Sequence, residues 1–242
     1  MIKAITLDFW DTIFKMDFEI DLNGYRIQKL EEIIKKYGFT FPQEKIIEVY
    51  KEVHKIFDHK WIEECYTMTT SEVLKLILSK LQITISLDDF EYLVKTFQEA
   101  ILLNPPSVMD GSKQAIIELS SEYKLGIISD TGFSPGKILR NILKDNDLID
   151  YFSVLIFSDE FGKSKPHPDN FLFAAKELRV DISMLAHIGD NERTDVMGAI
   201  TAGAKGIFYT KELDLKPIKS LPSAILKNWS DIHSVLNQLN SN

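Results

Sequence analysis

Short apolar runs flank a long stretch in which apolar residues recur with helical spacing. The run Ile2 to Phe9 is rich in Ile, Leu and Phe, too brief for a helix and bounded by acidic residues, which predicts a buried strand with Asp8 at its carboxyl end. From about Gly24 to Leu103 the period becomes helical. Ile27, Leu30, Ile33, Ile34 and Tyr37 share one face before Gly38, a helix stop. A second helix is predicted from Gln43 to about Lys60. A third starts at Thr69, with Glu72 three residues on to complete a capping box, and carries Val73, Leu74, Ile77, Leu78 and Leu81. The fourth places Phe90, Leu93, Val94, Phe97 and Ile101 on one stripe and ends before Asn104-Pro105-Pro106. Four amphipathic helices in one block predict a helical lid over 17–103, inserted into a core built from 1–16 and 104–242.

Beyond the two prolines, strands and helices alternate. The pattern predicts a helix from about Gly111 to Tyr123, a strand from Lys124 to Ser129, a helix near Pro135 to Leu143 and a strand from Phe152 to Ser158. Pro168 opens a helix bearing Phe171, Ala174, Ala175 and Leu178, and Leu185 to Ile188 then delivers Gly189-Asp190. A small-residue helix with Gly198, Ala199, Ala202 and Gly203 precedes a strand from Gly206 to Tyr209. This order predicts the α/β class, with a Rossmann-like parallel sheet covered on both faces and ligands at the carboxyl ends of its strands.

Composition narrows the picture. The chain has 242 residues, 45% of them hydrophobic, enough for one full domain and an insertion. A net charge of −8 argues against nucleic acid and anionic membranes as partners, though not against a local basic pocket for a small anion. The single cysteine, Cys65, excludes an internal disulfide and a thiolate zinc cluster and fits a reducing compartment. Met1 to Ala4 enter the first strand at once, and no apolar stretch approaches the roughly 18 residues of a membrane span, so a cytoplasmic monomer or homodimer is expected.

Candidate chemistry lies at the predicted strand ends. Asp8, in Asp8-Phe9-Trp10-Asp11-Thr12, has the type and place of a nucleophile or metal ligand, although a lone strand-end Asp more often starts a turn. Gly189-Asp190 shifts that balance, because two carboxylates at neighbouring strand ends suit Mg²⁺. Asp195 has two readings, an outer ligand or water holder and a helix-start charge. Ser129, before Asp130, offers a hydroxyl to a phosphoryl oxygen or closes a turn. Lys165, held beside Pro166, is a candidate for neutralising transferring charge, while Lys163 is assigned to solvent. His54 and His59, five residues apart, do not share a face and are not read as a metal site. His167 and His187 read as substrate contacts or, more commonly, as structural histidines, and Trp61, Tyr66 and Met68 read as substrate-pocket lining or, more commonly, as core; none is given a site role.

These segments, in this order, resemble the motifs of the haloacid dehalogenase superfamily of hydrolases, mostly phosphatases. Asp8 and Thr12 match the first motif, Ser129 the second, Lys165 the third, and Asp190 with Asp195 the acidic fourth. The helical block resembles the family's cap. The resemblance implies catalytic roles for Asp8 and Lys165, substrate contacts by Thr12, Ser129 and Asp130, and an Mg²⁺ site from Asp8, the Trp10 carbonyl, Asp190 and Asp195. It further implies hydrolysis of a small phosphorylated molecule through an aspartyl-phosphate on Asp8. One departure stands out: Trp10 occupies the place of the family's acid-base Asp, and indole cannot serve near neutral pH. Asp11, displaced by one residue, either takes that role or caps the turn. Two further readings follow: a dehalogenase-type hydrolase attacking carbon, and a phosphate-binding member with little turnover. A receiver-like domain ranks last, because it has no place for the helical block.

Overall fold

The computed structural model describes residues 1–210 and 221–241; residues 211–220 and 242, within the second core segment, lie outside the described residues. The first strand, β1 (Ala4–Leu7), is shorter than its apolar run, because the chain turns out of the sheet at Asp8. The helices α1 (Leu22–Lys36), α2 (Gln43–Glu64), α3 (Thr70–Leu81) and α4 (Leu87–Glu99) follow. Each start but that of α2 has a side-chain cap: Asp21 accepts from the Gly24 N–H, Ser86 from the Asp89 N–H, and Thr69 and Glu72 form the expected capping box. Cys65 terminates α2 in the left-handed region at φ 49°. The apolar stripes meet in one cluster containing Leu30, Ile34, Val53, Leu74, Ile77, Leu93 and Phe97.

The chain enters and leaves this block along two paired segments. The Lys15 N–H donates to Ser107 O, and the Met109 N–H donates to Ile13 O. Thereafter come α5 (Ser112–Ser120), β2 (Lys124–Ser129), α6 (Gly136–Asp145), β3 (Val154–Phe157), α7 (Ser158–Phe161), α8 (Pro168–Glu177), β4 (Leu185–Gly189), α9 (Gly198–Ala202), β5 (Lys205–Tyr209), β6 (Ala224–Leu226) and α10 (Ile232–Ser241). The predicted strand to Ser158 ends one residue early, where Ser158 opens α7. The last strand and helix were not read from the sequence.

All six strands are parallel, in the order β3-β2-β1-β4-β5-β6. Chain progression therefore reverses between β1 and β4, and a crevice opens at their carboxyl ends, the usual ligand position in doubly wound sheets. Alternation decides the faces. Ile5, Leu7, Leu125, Ile127, Ala186 and Ile188 pack into the larger core cluster, whereas Ala4, Ile128 and Leu185 join Phe171 and Ala174 of α8 on the other side.

Candidate active site

Beyond β1 the Asp8 N–H still bonds to Ile188 O at 2.9 Å, so Asp8 stays beside β4 as the sheet ends. The next residues form a tight loop. The N–H groups of Ile13 and Phe14 both donate to Phe9 O, the Asp11 N–H donates to Phe14 O, and Asp11 takes φ 49°. Its carboxylate accepts from the Met16 N–H at 2.9 Å. That bond closes the turn, which is the structural of the two roles expected for Asp11. Trp10 packs edge-on to Phe9, with centroids 4.7 Å apart, and lines the cavity above the sheet.

Lys165 is 2% exposed and bridges two carboxylates: its Nζ lies 2.6 Å from Asp8 Oδ1 and 2.5 Å from Asp195 Oδ1. Burial alone would favour the neutral amine, but Asp195, Asp8 and Asp130 together raise its pKa, and the ammonium persists. Asp195 is placed by an unusual turn. Residues Glu192–Met197 form a π-helical segment, whose wider coil lets Asp195 Oδ2 accept from the Asn191 N–H at 2.9 Å. Burial opposes ionisation of Asp195, yet Lys165 and His187 hold its carboxyl below the ordinary range.

A buried relay supports this pair from beneath. Thr6 and His187 are register partners on adjacent strands, so their side chains meet on one face. Thr6 Oγ1 lies 2.9 Å from His187 Nδ1, and His187 Nε2 lies 3.1 Å from Asp195 Oδ1. Burial lowers the pKa of His187, and the neutral ring is satisfied when Thr6 donates to Nδ1 and Nε2–H donates to Asp195. His187 is thus structural, as is His167, which caps α8 by accepting from the Asp169 N–H. Lys163, assigned to solvent from sequence, pairs with Asp169 on the surface.

Gly189 explains how Asp195 comes so near the sheet: an added Cβ would sit 2.2 Å from Asp195 Cγ. Gly189→Ala is therefore expected to displace Asp195, unpair Lys165 and lower the thermal midpoint, with a loss of about 3–5 kcal/mol if the buried pair breaks. Calorimetric melting checks this, and an unchanged midpoint would show that the π segment yields freely.

Asp8, Asp190 and Asp195 each offer an oxygen within 4.8 Å of the others. Burial raises the Asp8 carboxyl well above its usual value despite Lys165. Asp190 keeps contact with solvent through the cavity, yet burial on its other sides, and then the charge of Asp195, push it up to about 7. Lys165 does not balance this concentration of negative charge. An all-oxygen set with excess negative charge fits a hard divalent cation. Asp195 has Lys165, His187 and Asn191 on its two oxygens, which fits an outer role better than direct ligation.

The cavity has a volume of about 410 Å³ and is walled by both the sheet edge and the helical block. Asp8, Trp10, Asp11, Asp130, Lys165, Asp190 and Asp195 line it. Two expected substrate contacts do not. Thr12 is fully buried, its hydroxyl has no partner, and its carbonyl accepts from Trp229 Nε1 at 3.2 Å. Ser129 is 1% exposed and turns its hydroxyl back to Asp130 O at 3.3 Å. Neither is among the residues that line the cavity, and their expected contacts with substrate stay a proposal.

Asp130 does more than expected. Its Oδ1 accepts from the Lys165 N–H at 2.9 Å, its Oδ2 accepts from Trp61 Nε1 at 2.8 Å, and burial raises its pKa. Trp61, of whose two readings core was the commoner, lines the cavity and reaches across to this carboxylate. Arg26 was missed altogether, although a charge at the i−4 position of Leu30 on the apolar face of α1 was a visible signal.

A doubly wound sheet with a carboxylate-lysine constellation at its switch point defines a class of α/β enzymes. The chain belongs to the haloacid dehalogenase-like hydrolase family, whose model matches residues 2–203. It is 35% identical over 100 residues to a glyceraldehyde 3-phosphate phosphatase of Pyrococcus abyssi, covering 41% of each chain. It is 29% identical over 114 residues to a phosphoglycolate phosphatase of Escherichia coli, covering 45% of this chain and 42% of that one. The chain thus spans less than half the length of these curated relatives. Among solved structures, a 2-haloacid dehalogenase from Pseudomonas syringae pv. Tomato DC3000 superposes with a TM-score of 0.72 at 22% identity, over 98% of this chain and 99% of that one. A HAD phosphatase from Thermococcus onnurineus gives 0.67 at 21% identity, over 97% and 98%. These likenesses establish the fold. Among the described residues no helix is long and apolar enough to cross a membrane.

Proposed function

We propose that this hydrolase acts on small phosphorylated molecules, with Asp8 as nucleophile. The observation that carries this reading is Lys165 bridging Asp8 and Asp195, with Asp190 beside them, at the floor of a cavity large enough for a small ester.

The Lys165 ammonium holds Asp8 Oδ1 and leaves the other carboxylate oxygen for in-line attack on phosphorus. The bond from Asp8 to phosphorus forms as the bond to the ester oxygen breaks, and that oxygen takes a proton from water and leaves as the alcohol; water then attacks the aspartyl-phosphate, releasing inorganic phosphate and the Asp8 carboxylate. Lys165 offsets part of the charge of Asp8 and of the transferring group. Asp195, fixed by His187 and Asn191, keeps that ammonium in place. Mg²⁺ held by Asp8, Asp190 and the Trp10 carbonyl, with Asp195 outside, would supply the charge neutralisation that lets an anionic nucleophile meet a phosphate. The helical block over residues 17–103 acts as a cap that brings Phe57 and Trp61 to the cavity and would exclude bulk water on closing over substrate. A cytoplasmic setting and a monomeric or homodimeric state complete the proposal.

Phosphate release from phenyl phosphate is expected with Mg²⁺ and is expected to fall to background with EDTA, measured colorimetrically. Trp10 favours one competing reading, attack on carbon without metal. Halide release from 2-chloropropionate in EDTA, with no phosphate release in Mg²⁺, would replace the phosphatase assignment.

A further inference from the structure

Arg26 is 6% exposed and lines the same cavity from α1, part of the helical block rather than the sheet edge. Its known partners are neutral. Nε donates to Phe97 O at 3.1 Å, Nη1 donates to Asn23 Oδ1 at 3.2 Å, and the guanidinium lies over the Phe133 ring, 4.6 Å from its centroid. The Tyr50 hydroxyl beside it donates to the same Asn23 oxygen. Among the described residues, no carboxylate stands within ion-pair distance of Arg26. Burial lowers its pKa from the ordinary value, with the nearby Tyr50 as the main opposing influence.

Guanidinium stays charged at any working pH, and a buried charge without an opposite partner is costly. The contacts with Phe97 O, Asn23 Oδ1 and the Phe133 ring hold the guanidinium in place but leave its charge without an opposite partner. The contrast with Lys165 is direct: the core cation has two carboxylates, whereas the cap cation has none and faces open volume. Leu22, Phe57, Trp61 and Phe133 line the same cavity and give it apolar, largely aromatic wall.

We infer that Arg26 binds a second anionic group of the substrate, so that the preferred ester carries a carboxylate or a second phosphate beyond a flat or apolar middle. The inference rests on the hydrolase reading for the first phosphate. The transferred phosphate sits at Lys165, the apolar walls cover the organic portion, and the planar fork of Arg26 receives the distal anion through paired N–H donors. Compounds whose far end is neutral leave Arg26 buried and unmatched, and bind less well for that reason.

The test compares phenyl phosphate, 4-carboxyphenyl phosphate and 1,4-phenylene bisphosphate as substrates, with phenylphosphonate and 4-carboxyphenylphosphonate as calorimetric ligands. All runs include Mg²⁺ and use the full chain. The parent is expected to favour the better of the two substrates with an anionic far end over phenyl phosphate by about 10- to 100-fold in kcat/KM. The phosphonates are expected to show the same preference in Kd. The two substrate arms distinguish a carboxylate from a second phosphate. In Arg26→Met the ratio falls to near one, and in Arg26→Lys, which keeps the charge and loses the fork, it is intermediate. A parent ratio near one, which requires no variant to fold, overturns the inference, as does a ratio unchanged in Arg26→Met. Turnover of phenyl phosphate without anion preference would sink the inference and leave the hydrolase reading intact. Preferential binding of the carboxylated phosphonate without turnover of any ester would do the reverse.

Discussion

Phosphate release is expected to fall by roughly 10⁴-fold or more in Asp8→Asn, while the far-UV spectrum is unchanged and the thermal midpoint moves by less than about 4 °C. The amide has the same shape as the carboxylate, and Lys165 retains Asp195 as its charged partner. Lys165→Met should be equally inactive for a different reason. It leaves Asp8 and Asp195 buried without the ammonium between them, and a loss of about 3–5 kcal/mol is expected. Activity assays paired with urea denaturation separate the two effects. Full activity in Asp8→Asn would remove Asp8 from the proposed chemistry, and a Lys165→Met protein as stable as its parent would contradict the structural weight given to the bridge.

The second large effect runs upward. Trp10→Asp restores a carboxylate where the family's phosphatases usually have one, and a positioned acid-base group contributes about 10²- to 10⁴-fold. We expect kcat to rise by about 10²-fold, the lower end, because Asp11 remains committed to the Met16 N–H and the new side chain gives up the indole contacts with Phe9 and Phe18. A lower melting temperature should accompany the gain. Asp11→Asn, which keeps an acceptor for Met16, is expected to change turnover little. If instead Asp11→Asn abolishes turnover and Trp10→Asp does nothing, Asp11 is the acid-base group and the loop works despite its turn-closing bond.

Much of this arrangement was legible in the chain because its signals are local. Strand-end positions for Asp8 and Asp190 follow from apolar runs that stop abruptly, and the Thr69-Glu72 box announces α3 without help from tertiary structure. Side-chain direction past a strand end was not legible. Thr12 and Ser129 have the residue types of phosphate donors, but no pattern foresees that the Thr12 hydroxyl is buried without a partner or that the Ser129 hydroxyl lies 3.3 Å from Asp130 O. The roles of Trp61 and Asp130 depend on two segments 69 residues apart meeting across the cavity, which no periodicity encodes. Nor does an apolar pattern foresee the π segment, whose extra residue per turn is what carries Asp195 to Lys165. β6 and α10 were not read from the sequence, although Ile232, Val235, Leu236 and Leu239 of α10 follow the helical i, i+3, i+4, i+7 spacing.

The paired segments at Ile13–Lys15 and Ser107–Met109 have an architectural consequence. Some ninety residues depart from and return to nearly the same point, so the ends of this excursion are already tethered by the core's own backbone bonds. Closure entropy grows only slowly with the length of such an excursion. The helices can therefore be lengthened, shortened or exchanged for another fold at little cost to the sheet, provided the two strands of the neck still meet. Divergence in what is recognised can proceed there while the reacting carboxylates stay where they are.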